Sequence, residues 1–185
     1  MSYRIYILGA SGTGTSTLGR ALATELGLQA FDTDDFYWLP TDPPFAQARP
    51  IEDRIKLAQA MFLPRSNWVI AGSFSSWGQP IATRLTHIVF LTLPVTDRLA
   101  RLRQRERTRN GDEIAPGGMR HEAHVGFLDW ALAYDDPEFT GRSRRGHEDW
   151  LQRQTCPVIR LDASASPQEL VRQTRAALDE GTPGV

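Results

Sequence analysis

Short apolar runs alternate with amphipathic stretches along most of the chain, and that alternation predicts its architecture. Residues 3–8 alternate, are rich in β-branched side chains and run into Gly9, the pattern of a strand ending in a tight turn. Leu18, Leu22 and Leu26 then recur at helical spacing, with Gly27 as the stop. A second strand is expected over 29–33, and the prolines clustered within 40–50 mark a loop. Helical spacing returns over 51–62, with Ile51, Ile55, Ala58 and Phe62 on one stripe. Residues 68–71 and 86–93 are apolar runs, consistent with buried parallel strands. Pro94 helps to start a helix over 96–109, and a Gly/Pro-rich loop covers 110–118. Helices are expected over 121–134 and 146–154, and a fifth strand over 157–161. Ser166 and Pro167 then form the N-cap and first position of a final helix.

Strands alternating with helices specify an α/β fold whose parallel sheet is covered on both faces. Right-handed crossovers leave few topologies, and ligands in such sheets bind beyond the carboxyl ends of the strands. The 185 residues are expected to form one domain over 1–185, with two insertions, at about 38–64 and about 110–146. A net charge of −1 supplies no global field to attract nucleic acid or an anionic membrane. Cys156 is the single cysteine, which excludes an intrachain disulfide and a cysteine zinc cluster. No stretch approaches the roughly 18 apolar residues that span a bilayer, and the start has no long apolar leader, so a cytoplasmic location is expected. Lys56 is the lone lysine among many arginines. That skew reads as genome composition, but it leaves no second lysine to serve a phosphate site.

The most specific motif is Gly9-Ala10-Ser11-Gly12-Thr13-Gly14-Thr15-Ser16-Thr17, lying between the first strand and the first helix. The pattern G-x-x-x-x-G-K-[ST] needs glycines so that backbone N–H groups can curl round a phosphate. The helix N-terminus adds partial positive charge at the same place. Gly9, Gly14 and Ser16 are correctly spaced, Gly12 makes the loop more permissive, and the Ser16 hydroxyl is the expected Mg²⁺ ligand. The departure is Thr15, which stands where the pattern has lysine. That ammonium normally bridges the β- and γ-phosphates, so catalysis here needs positive charge from elsewhere. The expected ligand is ATP or another nucleoside triphosphate with Mg²⁺, held on Gly9, Ser11, Gly12, Thr13, Gly14, Thr15, Ser16 and Thr17.

This turn and its Thr-for-Lys exchange resemble the P-loops of some archaeal-type cytidylate kinases, which carry Gly-Ser-Gly-Thr-Thr-Thr. The order of motifs along nearly the whole chain resembles the nucleoside monophosphate kinase group, with adenylate, shikimate and gluconate kinases as relatives. A closer likeness is to bacterial proteins loosely called adenylate kinase-like or topology-modulation-like. The resemblance implies a three-layer P-loop fold with a five-stranded parallel sheet in the order 2-3-1-4-5 and a lid insertion. It also implies transfer of the ATP γ-phosphoryl group to a nucleoside monophosphate or another small acceptor.

Asp32, Asp34 and Asp35 crowd the end of the second strand. Read as extended chain, the segment puts Asp32 and Asp34 on one face. Taken alone, acidic residues here would read as caps or turn formers. Beside a phosphate turn, one carboxylate suits the magnesium water shell and another the acceptor's proton. By resemblance to the D-x-D of shikimate-like kinases, Asp32 is an outer-shell magnesium contact and Asp34 orients or deprotonates the acceptor hydroxyl, with Asp35 in support. The acceptor is expected near Asp34, Asp35 and Arg49 or Arg54, and Trp77 offers a surface for nucleobase stacking.

At about 100° per residue, Arg98, Arg101, Arg105 and Arg109 share one stripe of the helix over 96–109, beside Leu99 and Leu102. The leucines should face the core, with the arginines at its margin near the lid. Arg101-Leu102-Arg103-Gln104-Arg105 resembles the Arg-x-x-x-Arg that begins the adenylate kinase lid, which makes Arg101 and Arg105 the expected substitutes for the lost lysine. Arg142, Arg144 and Arg145, with the loop over 110–118, are candidates for a closing lid. His121-Glu122-Ala123-His124 lacks zincin spacing, and Ser73, Ser75 and Ser76 sit in no nucleophile elbow. Two other functions remain open. One is a nucleotide sensor that lost transfer chemistry with the lysine; the other is nucleic-acid binding through the arginine helix, which the near-zero net charge disfavours.

Overall fold

The computed structural model describes residues 2–74 and 77–180. Five parallel strands form one sheet in the order β2-β3-β1-β4-β5: β1 (Arg4–Gly9), β2 (Ala30–Asp32), β3 (Trp68–Ala71), β4 (His87–Thr92) and β5 (Val158–Asp162). Helices α1 (Thr15–Leu26), α2 (Thr33–Tyr37), α3 (Ile51–Met61), α4 (Gln79–Ala82), α5 (Val95–Asn110), α6 (His121–Leu132), α7 (Arg144–Leu151) and α8 (Pro167–Glu180) lie between and after the strands. This is the α/β P-loop architecture. None of the described helices is long and apolar enough to cross a membrane.

The apolar runs become central strands because both of their faces are covered. Ile5, Ile7, Val69, Ala71, Val89 and Leu91 point to one face and pack with Leu18, Leu22 and Ala23 of α1 and Leu170 and Leu178 of α8. Tyr6, Leu8, Trp68, Ile70, Ile88 and Phe90 point to the other, where Phe36, Ala58, Phe62, Trp77, Trp150 and Leu151 close over them. The β1-to-β2 crossover runs toward one edge of the sheet, whereas β3-to-β4 and β4-to-β5 run toward the other, and this reversal opens a crevice at the carboxyl end of β1. The Gly-rich turn occupies that crevice.

Three expectations are corrected. Residues 33–37 are helical, so Asp32 and Asp34 do not share the face of a strand. Asp32 is instead the N-cap of α2, its Oδ1 accepting from the Asp34 N–H at 3.1 Å. On α3, Ile51 is exposed and Arg54 is buried beside Ala58, because the sheet-facing side of that helix points toward the Tyr37 and Trp77 rings rather than a purely apolar wall. On α5, Arg98 leaves the solvated stripe altogether: it is 1% exposed, donating to Ala131 O at 3.1 Å and to Asp135 at 2.5 Å. Leu102 is buried as expected.

Candidate functional site

Gly12 (φ 88°) and Gly14 (φ 91°) both lie in the left-handed region that L side chains rarely adopt. Gly12 also packs directly on α5, where an added Cβ would stand 2.6 Å from the Arg98 carbonyl oxygen. The buried Thr13 hydroxyl donates to Ala10 O at 2.8 Å, and the Thr13 N–H donates to the same oxygen. Thr13 therefore shapes the turn from within through its side chain.

Gly14 caps α1, and the Leu18 N–H closes on Gly14 O at 2.9 Å. Amides 14–17 precede the first intrahelical bond, so among the described residues they have no backbone acceptor. A Cβ on Gly14 would meet nothing within 4 Å, so the turn is not packed against other elements at that position. Converging N–H groups at a helix start can hold an anion.

Carboxylates stand across from this nest. Ser16 Oγ donates to Asp32 Oδ2 at 2.5 Å, joining the hydroxyl of α1 to the end of β2. Asp32 thus fills its reading as a cap, and its other carboxylate oxygen holds the Ser16 hydroxyl. The turn after β3 holds this corner in place: the buried Thr33 hydroxyl accepts from the Ser73 N–H at 2.8 Å, and the Tyr6 hydroxyl donates to Gly72 O at 3.0 Å. Ser75 and Ser76 lie outside the described residues. Desolvation and the like charge of Asp32 push the Asp34 carboxyl above the usual carboxylate range, with Arg142 and Arg105 opposing. Asp35 is raised by the same two causes, desolvation first.

The arginines divide by what they touch. Arg101 donates to Ala163 O, just past β5, at 2.9 Å. Arg105 pairs with Glu106 at 3.1 Å and stacks on Phe127, yet lies within electrostatic reach of Asp34. Both line a shallow groove along α5 with Gln104, Thr108 and Arg109. Arg49 spends its fork on the Phe36 and Trp38 carbonyls at 3.0 and 3.2 Å, which pins the loop after α2. Arg54 donates from Nε to Arg49 O at 2.6 Å, and its guanidinium lies 3.8 Å from the Tyr37 ring centroid and 5.9 Å from that of Trp77. Trp77 is 4% exposed and packed in the core, edge-on to Phe74, so it presents no open face for a nucleobase. Its Nε1 is buried without a hydrogen-bond partner among the described residues.

Arg142 reaches the turn from between α6 and α7: its Nη2 donates to Ser11 Oγ, across 131 residues of sequence. Its neighbourhood includes Tyr6, Asp34, Tyr134 and Arg98, and its guanidinium lies 4.6 Å from the Trp130 ring centroid. Sequence reasoning grouped it with Arg144 and Arg145 as lid residues. Arg144 instead faces Asp135 at 3.7 Å and Arg145 faces Asp149 at 4.0 Å. Nothing in the local pattern separates the three; only the path of the chain does.

No family model matches this sequence. The sequence is 40% identical over 171 residues, 92% of this chain and 94% of the other, to the uncharacterized protein YqaC of Bacillus subtilis strain 168. Solved structures with the same fold include a shikimate kinase from Bacteroides thetaiotaomicron, with a TM-score of 0.59 and 17% identity over 97% of this chain and 99% of that one. A sugar kinase from Janibacter sp. HTCC2649 matches with a TM-score of 0.54 and 16% identity, over 97% and 95%. A gluconokinase from Sinorhizobium meliloti 1021 matches with a TM-score of 0.53 and 18% identity, over 97% and 93%. At such identities these three define the fold, whereas the match to YqaC is close enough, over more than nine-tenths of both chains, to define kinship. The chain belongs to the YqaC family.

Proposed function

We propose that this protein is a nucleotide-dependent phosphotransferase, using ATP or another nucleoside triphosphate with Mg²⁺ and a small-molecule acceptor. The observation that carries this reading is the Ser16–Asp32 hydrogen bond set beside amides 14–17, which have no backbone acceptor among the described residues. It joins an anion nest to the hydroxyl–carboxylate pair that suits a hard cation. Ser16 and Asp32 would hold the magnesium ion, which supplies charge neutralisation to the phosphates. Residues 14–17 bind the polyphosphate through main-chain donors and the helix dipole. Asp34, with its carboxyl raised in pKa, orients the acceptor hydroxyl and takes its proton. Arg54, between Tyr37 and Trp77, gives the acceptor side a cation beside aromatic surface. Arg105 adds positive charge on the α5 side of Asp34. The kinase names of the three structural neighbours support the reaction class.

The test is a thermal-shift screen of nucleoside triphosphates with Mg²⁺, followed by ADP-release assays across nucleoside monophosphates, sugars and small hydroxy acids. Stabilisation by a triphosphate and acceptor-dependent ADP release are expected, with the release and the Mg²⁺ dependence of the stabilisation lost in Asp32→Asn. Binding without turnover for any acceptor would leave a nucleotide sensor. Absence of triphosphate binding at millimolar concentration would overturn the proposal.

A further inference from the structure

Thr15 removes the one ammonium that a phosphate turn of this kind ordinarily carries, and Lys56 is exposed on α3 beside Asp53. A replacement cation must therefore be an arginine that reaches the turn itself. Arg98 is bound to Asp135 and Ala131, Arg101 to the Ala163 carbonyl and Arg105 to Glu106. Arg142 differs. Its direct hydrogen bond goes to the neutral hydroxyl of Ser11, within the turn itself. Its Nε is buried with no partner among the described residues. The other face of the guanidinium rests against Trp130. The guanidinium is partly withdrawn from water, with the Asp34 carboxylate in its neighbourhood but only a neutral hydroxyl in direct contact, which leaves N–H donors for an arriving anion.

We infer that Arg142 binds the terminal phosphates of the nucleotide and replaces the charge that Thr15 lacks. The inference rests on the reading of residues 9–17 as a polyphosphate site. It places the compensating charge on the connection between α6 and α7, at the opposite end of the sequence from the turn. The Ser11 hydroxyl holds the guanidinium at the edge of the nest. A guanidinium suits this position because two of its N–H groups can engage phosphate oxygens side by side.

The experiment is calorimetric titration of MgATP, MgADP and inorganic tripolyphosphate into the wild type, Arg142→Met, Arg142→Lys, Thr15→Lys and the Thr15→Lys/Arg142→Met double variant. Urea denaturation of each confirms that it folds. Arg142→Met is expected to weaken MgATP and tripolyphosphate by about 10–100-fold, and MgADP by less, with Arg142→Lys in between. Thr15→Lys in the Arg142→Met background is expected to restore tripolyphosphate binding to within about threefold of wild type. Folded Arg142→Met that keeps both affinities within about threefold would overturn the inference. So would a double variant as weak as Arg142→Met alone. Tripolyphosphate separates this result from the kinase reading. A wild type that binds it through Arg142 but takes no nucleotide sinks only the kinase reading, and one that binds neither sinks both.

Discussion

Gly12 and Gly14 have nearly the same backbone angles, yet the structure predicts that alanine at the two positions fails in different ways. Both substitutions carry the left-handed penalty of about 1–2 kcal/mol. At Gly14 nothing lies within 4 Å of the new methyl, so that penalty is nearly the whole cost to the fold. At Gly12 the methyl would stand 2.6 Å from the Arg98 carbonyl oxygen and 3.0 Å from its Cα, backbone atoms that cannot swing aside. Either the turn or α5 must shift, adding about 1–3 kcal/mol of overpacking. Gly12→Ala should therefore lose about 2–5 kcal/mol and Gly14→Ala about 1–2 kcal/mol, read by urea denaturation with linear extrapolation. In a protein of this size, the corresponding falls in melting temperature are roughly 5–15 °C and 2–6 °C. Binding should show the opposite emphasis in Gly14→Ala: a mildly weakened fold whose tripolyphosphate affinity drops by about tenfold or more, because a residue that resists a φ of 91° turns the amides that follow it away from a shared anion. Equal destabilisation of the two variants would refute the close packing of the turn on α5. An unchanged affinity in folded Gly14→Ala would refute the placement of the anion.

Asp32→Ala should cost about 1 kcal/mol through loss of the α2 cap, while Asp32→Asn, which keeps a capping oxygen, should stay within about 0.5 kcal/mol of wild type. Both should lose the Mg²⁺ dependence of nucleotide binding in calorimetry, and retention of that dependence in Asp32→Asn would remove Asp32 from the metal side. Arg98→Met should destabilise by about 2–4 kcal/mol in urea. It forfeits two charge-assisted hydrogen bonds at the α5–α6 junction, though Asp135 is 36% exposed and retains Arg144 at 3.7 Å. His147 is buried, with Nδ1 against the Tyr134 hydroxyl at 2.9 Å, and burial pushes its pKa from 6.5 down to about 4. The unfolded chain then binds the extra proton first, so stability present above pH 6.5 is lost as pH falls toward 4, by up to about 3 kcal/mol. His147→Gln should flatten that acid limb of a stability–pH curve, and an unchanged slope would assign it to other groups.

The sequence by itself determined what depends on neighbours along the chain. Alternating apolar runs at residues 3–8, 68–71 and 86–93 specify buried parallel strands because continuous hydrophobic side chains have no solvated face to turn outward. The glycine spacing after the first strand marks the turn, since only glycine relieves positive φ at two places within three residues. Ser166 and Pro167 likewise mark the start of α8, where Ser166 Oγ accepts from the Glu169 N–H at 3.2 Å.

Tertiary structure decided which of several chemically identical residues does what. Periodicity put Arg98 with Arg101 and Arg105, but α6 packs over the start of α5 and encloses Arg98. Period-two reasoning failed at Asp32–Asp34 because a cap ends the strand one residue earlier and turns the chain into a helix. Trp77, expected to offer a stacking surface, enters the core, and Arg54, expected beside the acceptor, is buried near it against Tyr37. Arg142 and Ser11 meet across 131 residues, a contact set by the return of the chain over the crevice. Local pattern encodes which face of a segment is apolar; it does not encode which distant segment will cover that face, and the charge of this site is assembled by such distant contacts.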